Sequence, residues 1–513
     1  MDKTRTRILS EINAWITDPE ALQICWITGM AGTGKTSIAK TVCAQAKANA
    51  EMTLGGSFFC SRSSGLAAQR DIRCVIPTLT QLLALKWADF RLAVAETIEP
   101  GVQYKEVSAQ VKELLYMPLL ALDPSRGPIL FVIDALDECG GETSDGMLDD
   151  AKCHAAVTSM LEALVTITRS EPKLPVKFLV TSRPEAQIRD TPISDENISQ
   201  ILRLHTIEST EVAADINRYV TTTINTKLFG KPKLRAMITD VDVTHLVRLC
   251  DGLFIVAATA LKHTFGAGAD AAVARFKKLL NASRNSLDDG VAVPLDRMYA
   301  IILEDAVTAE EPHDTELPAL LRLLSSLLAA RMTLSIATLA DLLGLESYDV
   351  RASLSRLHAV VNVPDDDDVP GLRTVHASFG DYLFDRAPSH IRILRSSGHE
   401  FLARACLELM GMCLHFNVSR SRSSYEPNAS TKPDHITLSL EYACLHWAHH
   451  INFFRNSHSH PSSDISFDAD IGRSFRPKFM FWLEVLSVLH KVGLASGLLL
   501  MASSSVRQSL RAP

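Results

Sequence analysis

The length, composition and charge of the chain describe an ordinary globular protein with several domains. It has 513 residues, which at roughly 100–200 residues per domain predicts about three or four domains. Apolar residues make up 47% of the chain, and 52 basic and 59 acidic residues give a net charge of −7. These values exclude extensive disorder and provide no electrostatic footprint for nucleic acid, so we expect no nucleic-acid partner.

The cysteines and the apolar runs indicate in which cellular compartment the protein lies. None of the ten cysteines forms a C-x-x-C pair, so a zinc site has no local signature. Cys25 and Cys60 fall in apolar runs, where a reduced cysteine packs as a small hydrophobe. The longest apolar runs, 252–261 and 492–502, are shorter than the roughly 20 residues of a membrane-spanning helix, although the second could lie along a membrane surface. We predict a reduced, cytoplasmic protein without a membrane span.

Apolar periodicity predicts an N-terminal helix over 1–20 and an α/β domain over 21–205. In the second region, short apolar runs alternate with amphipathic stretches, which is the pattern of a buried parallel sheet covered by helices. The expected strands are 24–28, 56–60, 129–133, 176–181 and 201–204. The implied architecture is a three-layer P-loop NTPase core.

The rest of the chain reads as three further regions. Residues 206–293 form a helical domain, with one long helix expected over 242–264. Residues 294–390 read as a winged-helix domain, and 391–513 as a C-terminal helical region. The expected elements of the winged helix are helices over 317–330, 336–343 and 348–357 and strands over 359–363 and 372–376. Four aspartates at 365–368 are interpreted as a solvated hairpin tip, since adjacent carboxylates on a turn are not preorganised for a metal.

The first chemical motif is a glycine-rich loop between a strand and a helix. It fits the pattern G-x-x-x-x-G-K-[ST] in full, and its residues are Gly29, Met30, Ala31, Gly32, Thr33, Gly34, Lys35 and Thr36, followed by Ser37. Such a loop turns backbone N–H groups inward as an anion nest, which needs the positive φ angles of glycine and is helped by the helix N-terminus. We expect Lys35 to reach the β- and γ-phosphates and the Thr36 hydroxyl to bind Mg²⁺.

Carboxylates follow the strand at 128–134. Asp134, at the end of that strand, has the form of a Walker B aspartate, which holds Mg²⁺. Asp137 and Glu138 come next, and a carboxylate there could polarise an attacking water. The alternative is that one of these two simply caps the next helix.

A further strand, at 176–181, runs into Arg183. Ligands bind at the carboxyl ends of parallel strands, so this arginine could reach a γ-phosphate and distinguish ATP from ADP. The alternative is an exposed turn arginine beside Pro184.

Together these motifs resemble the NACHT family of STAND NTPases, signal-transduction ATPases related to the NOD-like receptors, and especially its fungal members. The segments that carry the resemblance are 26–36, 56–62, 131–138, 178–185 and 375–383. The resemblance covers residues 5–390 well and continues more weakly through 442–449 and 482–489.

The resemblance implies a switch that rests closed with ADP, opens when ATP replaces it, and self-associates to engage signalling partners. Hydrolysis would be slow. It further implies that Arg183 is a nucleotide sensor, that His376 contacts the ADP β-phosphate, and that Thr6 and Arg7 line the adenine. Residues 378 and 381, Ser and Asp, form a capping-box pattern for the helix after His376.

The chain departs from the family pattern in several places. No proline follows Gly252, where many relatives contact the adenine, and Ala135 stands where relatives often have glycine. No recognisable effector domain precedes residue 5, and no ligand-sensing repeat follows residue 390. We therefore expect a shortened member, a fragment, or a protein that relies on partners.

Two other classes of function share the same phosphate loop. One is a dedicated P-loop ATPase or small-molecule kinase, although the sequence shows no arginine-rich lid. The other is a DNA-binding regulator that uses the winged helix. Its third helix offers only Arg351 and Arg356 against Asp349, which is a weak supply of phosphate contacts.

Overall fold

The chain is described by a computed structural model. The residues that it describes are 4–49, 52–62, 67–98, 101, 106–122, 127–139, 150–171, 173–266, 268–285, 294–307, 316–421, 434–457 and 471–509. They divide into two compact units, one within residues 4–301 and the other within 302–509.

A parallel sheet of five strands forms the centre of the first unit among its described residues. The strands are β1 (Ile24–Thr28), β2 (Thr53–Phe59), β3 (Ile129–Asp134), β4 (Val176–Ser182) and β5 (Ser199–Arg203). They lie in the order β2-β3-β4-β1-β5. The predicted α/β class and all five strands are confirmed, with ends that differ from the prediction by at most three residues.

Successive side chains of each strand point to opposite sides of the sheet, and both faces of the sheet are buried. Along β1, Ile24 and Trp26 face one hydrophobic core, whereas Cys25 and Ile27 face the other. Residues of β3 and β4 alternate in the same way. This explains why the strands read as continuous apolar runs rather than as alternating ones.

Helices cover the sheet and continue beyond it within the first unit. They are α1 (Thr6–Thr17), α2 (Lys35–Ala48), α3 (Val75–Ala84), α4 (Ala88–Thr97), α5 (Val107–Gln110), α6 (Met117–Leu120), α7 (Asp150–Thr168), α8 (Ala186–Arg189), α9 (Ser209–Lys227), α10 (Pro232–Ala236), α11 (Asp240–Cys250), α12 (Phe254–Phe265) and α13 (Ala269–Asn285). Helix α14 (Pro294–Val307) begins in the first unit and ends in the second. The predicted N-terminal helix is confirmed as α1, which buries Ile8, Ile12, Trp15 and Ile16.

The prediction of one helix over 242–264 is wrong. The chain forms α11 and α12, separated by a break at Asp251 and Gly252, whose φ angles are 44° and 77°. Left-handed backbone at the end of α11 stops the helix in the manner of a C-terminal cap.

The second unit is mainly helical in its described part. Its helices are α15 (Glu316–Ala329), α16 (Ile336–Leu343), α17 (Ser347–Ser355), α18 (Ala377–Asp381), α19 (Arg395–Cys413), α20 (Leu438–Asn456), α21 (Phe479–Val488) and α22 (Ala495–Ser509). A short antiparallel pair, β6 (Val361–Asn362) and β7 (Arg373–Thr374), lies between α17 and α18. The aspartate-rich segment connects these two strands, and Arg351 Nε donates a 2.7 Å hydrogen bond to Asp367 Oδ1.

The capping-box prediction for Ser378 is wrong. The N-cap of α18 is His376, whose Nδ1 accepts a 3.1 Å hydrogen bond from the Ser378 backbone N–H. The Ser378 hydroxyl lies 2.7 Å from the same nitrogen. Histidine replaces the usual hydroxyl or carboxylate cap here because its ring nitrogen can accept in the same way.

Candidate functional site

The glycine-rich loop leaves β1 and enters α2 in the conformation that phosphate binding requires. Gly32 and Gly34 have φ angles of 81° and 97°, which glycine adopts at little cost. The loop is closed on itself because both the backbone N–H and the hydroxyl of Thr33 donate to the Met30 carbonyl. Lys35 is the first residue of α2, so the positive end of that helix lies at the loop.

The Lys35 side chain folds back over the loop. Its Nζ donates to the carbonyl oxygens of Gly29 and Met30, at 2.6 and 3.0 Å. Burial lowers the pKa of this ammonium, while the nearby carboxylate of Asp137 raises it. A cation that is partly withdrawn from water beside an anion nest is suited to binding phosphate oxygens.

Asp134 lies at the end of β3, facing the start of α2. Its carboxylate is buried, and Oδ1 accepts a 2.6 Å hydrogen bond from the hydroxyl of Thr181 on β4. Burial raises the pKa of Asp134, and hydrogen bonds from Thr181 and Thr36 lower it. The structure therefore brings together the two predicted metal ligands, Thr36 and Asp134.

The two oxygen ligands fit Mg²⁺. This ion prefers carboxylate and hydroxyl oxygens and is bound in nucleotide sites by one or two protein groups together with phosphates and water. Among the described residues, no group of three or more His, Cys, Asp or Glu side chains could hold a metal ion alone. Thr36 and Asp134 would thus hold Mg²⁺ only as part of a nucleotide complex, in which the ion neutralises phosphate charge.

β4 lies between β1 and β3 in the sheet, so its end adjoins both the loop and the acidic residues. There the Arg183 backbone N–H donates to Asp137 Oδ1 at 2.9 Å, and Arg183 Nε pairs with Asp137 Oδ2 at 3.2 Å. The Asp137 side chain is 3% exposed. The ion pair orients both side chains, so Asp137 is placed to hold Arg183 in position.

Glu138 lies in a different environment. Burial, and next the charge of Asp137, raise the pKa of Glu138 to about 7. Its Oε2 accepts a 3.2 Å hydrogen bond from the Arg62 backbone N–H, and Arg62 Nη2 donates to the Asp137 carbonyl at 2.6 Å. A carboxyl with a pKa near neutrality is suited to taking a proton from water, so Glu138 is a candidate base.

Arg5 is a site residue that sequence reasoning missed. Its Nη2 donates a 3.0 Å hydrogen bond to the Thr33 carbonyl in the loop, and its backbone N–H donates to Asp215 of α9 at 2.8 Å. Its guanidinium lies 5.0 Å from the centre of the Phe254 ring. Arg5 is 5% exposed, and its Nε and Nη1 have no hydrogen-bond partner. Buried guanidinium nitrogens normally have acceptors, so these two indicate a place for a ligand.

Arg7 is an exposed residue of α1, and its predicted contact with the adenine stays a prediction. Its side chain is 60% exposed and pairs with Glu11 and Glu211. Arg5, two residues earlier, is the arginine that contacts the loop.

The start of α12 also contacts the loop. The Ile255 backbone N–H donates to the Gly32 carbonyl at 3.3 Å. A Cβ at Gly32 would lie 2.1 Å from Ile255 Cγ2, so only glycine fits there. No proline follows Gly252, yet the segment after it is joined to the phosphate loop through this contact.

His376 belongs to the second unit, where it caps α18. Its role toward the nucleotide stays a prediction.

The site combines a glycine-rich loop after β1, a buried aspartate at the end of β3 and an arginine after β4, the strand between them. These features define a P-loop nucleotide-binding protein. The family model described as "Nephrocystin 3, N-terminal" matches residues 3–183. The chain is also similar to the vegetative incompatibility protein HET-E-1 of Podospora anserina, at 24% identity over 92% of this chain and 34% of that protein. These matches confirm the resemblance to the NACHT-type STAND NTPases that the motifs carry. It spans about a third of the length of the HET-E-1 relative.

Two solved structures show a low similarity to this chain. One is the Drosophila ORC bound to DNA, at 11% identity and a TM-score of 0.31, covering 75% of this chain and 95% of that one. The other is Cdc6p from Pyrobaculum aerophilum, at 11% identity and a TM-score of 0.29, covering 78% and 93%. In the part of the chain that the structure describes, no helix is both long and apolar enough to span a bilayer.

Proposed function

We propose that the chain is an ATP/ADP-controlled switch of the NACHT class, in which slow hydrolysis is coupled to opening and self-association. The observation that carries the proposal is the set of bonds that leaves the phosphate loop. The Thr33 carbonyl accepts a hydrogen bond from the Arg5 side chain, and the Gly32 carbonyl accepts one from the Ile255 backbone N–H. The Arg5 backbone N–H in turn donates a hydrogen bond to the Asp215 carboxylate of α9. A change in the loop on nucleotide exchange would therefore be transmitted directly to α9 and α12.

The site residues take these roles in the proposal. Lys35 and the loop N–H groups bind the β- and γ-phosphates, and Thr36 and Asp134 hold Mg²⁺. Glu138 takes the proton of the attacking water, while Arg183 senses the γ-phosphate. Bound Mg²⁺ supplies charge neutralisation on the phosphates.

The proposed layout keeps the sequence-based domains: a core over 21–205, a helical domain over 206–293, a winged helix over 294–390 and a helical region over 391–513. Helices α15, α16 and α17 followed by the β6–β7 pair support the winged helix. His376 would bind the ADP β-phosphate, and signalling proteins in the cytoplasm would be the partners. Against a DNA-binding role, the Arg351 guanidinium is engaged by Asp367 and by the carbonyls of Pro364 and Asp365.

The switch hypothesis and the dedicated-enzyme hypothesis predict different amounts of nucleotide bound to the purified chain and different rates of hydrolysis. We expect the purified chain to release ADP in near-equal amount to protein when denatured and analysed by ion-exchange chromatography. We expect hydrolysis of Mg²⁺-ATP well below the typical enzyme range of roughly 1–10³ s⁻¹. Rapid phosphate release, or phosphate transfer to an added small molecule, would favour the ATPase or kinase instead.

The Arg5→Met variant tests the ligand role of the unpartnered nitrogens. Hydrogen bonds to a charged group contribute about 1.5–3 kcal/mol, so we expect ADP affinity measured by calorimetry to fall roughly 10–100-fold. Arg7→Met is the matched control, since that side chain is 60% exposed and pairs with Glu11 and Glu211. Equal losses in the two variants, or no loss in either, would remove Arg5 from the site. Circular dichroism melts of both variants check folding.

A further inference from the structure

Two thiols meet beside the acidic turn of the nucleotide site. Cys60 directly follows β2, and Cys139 directly follows the turn Leu136–Glu138. Their Sγ atoms are 2.8 Å apart, although 79 positions separate them along the chain. Both cysteines are free thiols and are buried, at 4% and 6% exposure.

Backbone hydrogen bonds hold both residues in position. The Cys60 N–H donates to the Asp134 carbonyl at 2.9 Å, and the Cys139 N–H donates to the Leu136 carbonyl at 3.1 Å. A disulfide has an S–S length of about 2.05 Å, so the sulfur atoms need to approach by only about 0.8 Å.

We propose that Cys60 and Cys139 form a redox-sensitive pair, which hydrogen peroxide converts into a disulfide that ties the acidic turn to the end of β2. One sulfur gives up its proton and attacks a peroxide oxygen, which breaks the O–O bond and yields a sulfenic acid and water. The second sulfur then gives up its proton and attacks the first, which expels the sulfenic oxygen as a second water. Two thiols lose two electrons in all, and one peroxide gains them.

The bond would fix the residues that act on the nucleotide. Glu138 is adjacent to Cys139 in the chain, and Arg62, which donates to Glu138 and to the Asp137 carbonyl, lies two residues after Cys60. These hydrogen bonds hold the turn reversibly, whereas a disulfide holds it covalently. Movement of Glu138 toward the water that it activates is thereby restricted, and hydrolysis slows. This consequence for turnover rests on the proposed function, but the formation of the bond does not.

The test is mild treatment of the native, reduced chain with hydrogen peroxide, followed by alkylation, proteolysis and mass spectrometry. We expect a linked peptide containing Cys60 and Cys139, absent after reduction with dithiothreitol. Amide hydrogen exchange of residues 135–139 should slow at least threefold in the oxidised protein. Mg²⁺-ATP hydrolysis should fall at least threefold and recover on reduction.

The variants Cys60→Ser and Cys139→Ala should each lose the linked peptide and the peroxide effect. Cys43→Ser is the matched control, because Cys43 is a buried free thiol of α2 in the same unit, and it should behave like the wild type. Absence of the linked peptide, or a linked peptide with unchanged exchange at 135–139, overturns the proposal. A linked peptide with slowed exchange in a chain that hydrolyses nothing supports the pair and counts against the proposed function alone.

Discussion

Replacing Lys35 with alanine is expected to remove nucleotide binding while leaving the fold intact. In the structure the ammonium is bonded to two loop carbonyls, those of Gly29 and Met30. Bound phosphates would offer anionic oxygens in place of these neutral ones, and hydrogen bonds between ions are about twice as strong as neutral ones. Each phosphate contact contributes about 1.5–3 kcal/mol, so we expect the affinity for ATP, which offers both phosphates, to fall at least about 100-fold and the affinity for ADP, which lacks the γ-phosphate, to fall at least about 10-fold.

The same change should alter stability little. Removal of the side chain leaves two loop carbonyls without this donor, and hydrogen bonds of this kind contribute about 1 kcal/mol each to the free energy of unfolding. Removal also eliminates an ammonium whose burial lowers its pKa, which offsets part of that cost.

Calorimetry with Mg²⁺ and each nucleotide measures the affinity, and urea unfolding measures the stability. Lys47→Ala is the control, because Lys47 is an exposed lysine in the last turn of the same helix. The nucleotide affinity of this variant should match that of the wild type. A Lys35→Ala protein that is folded and still binds ADP with wild-type affinity would contradict the phosphate role of the loop.

The sheet and the loop could be predicted from sequence because their signals are local. Strands buried on both faces read as continuous apolar runs, and the phosphate loop must have glycine where φ is positive, as at Gly32 and Gly34. The order of the elements along the chain then placed Asp134 and Arg183 at the same edge of the sheet. The pairing of Arg183 with Asp137 was not foreseen, since it depends on which side chains point toward each other.

The contacts that sequence reasoning missed are long-range or use unusual residues. Arg5 meets Asp215 across 210 positions, and no spacing rule connects them. His376 caps α18 although histidine is not a preferred cap. The Asp251-Gly252 pair is a turn signal that indicates the break after α11. The apolar periodicity on both sides of the pair obscured that signal.

A histidine network in the second unit is expected to make that unit unstable in acid. His399 Nδ1 and His450 Nδ1 are 2.9 Å apart, and His450 Nε2 lies 2.8 Å from the Tyr442 hydroxyl. Because the first pair faces nitrogen to nitrogen, one of those nitrogens must lack a proton, and the two rings cannot both be charged. Burial, and next the charge of Arg331, lower the pKa of His399 from 6.5 to about 3.

His449 on α20 adds to the effect. Burial, and next the charge of Arg331, lower the pKa of His449 to about 3 as well, and its Nδ1 is buried without a hydrogen-bond partner. In the unfolded chain a histidine has its ordinary pKa near 6.5. Between about pH 6.5 and 3 the unfolded state therefore binds more protons than the folded one, and the free energy of unfolding falls as the pH is lowered through this range.

At pH 5 the loss is about 2 kcal/mol for each such histidine. Urea unfolding at pH 7 and pH 5, followed by circular dichroism, measures it. The variant His449→Gln cannot be protonated at that position, so its loss between the two pH values should be smaller than that of the wild type by about 2 kcal/mol. His415→Gln changes an exposed histidine of the same unit and should retain the wild-type loss. Identical pH dependence in His449→Gln and the wild type would show that His449 titrates alike in the folded and unfolded states, because only a difference in proton binding makes stability depend on pH.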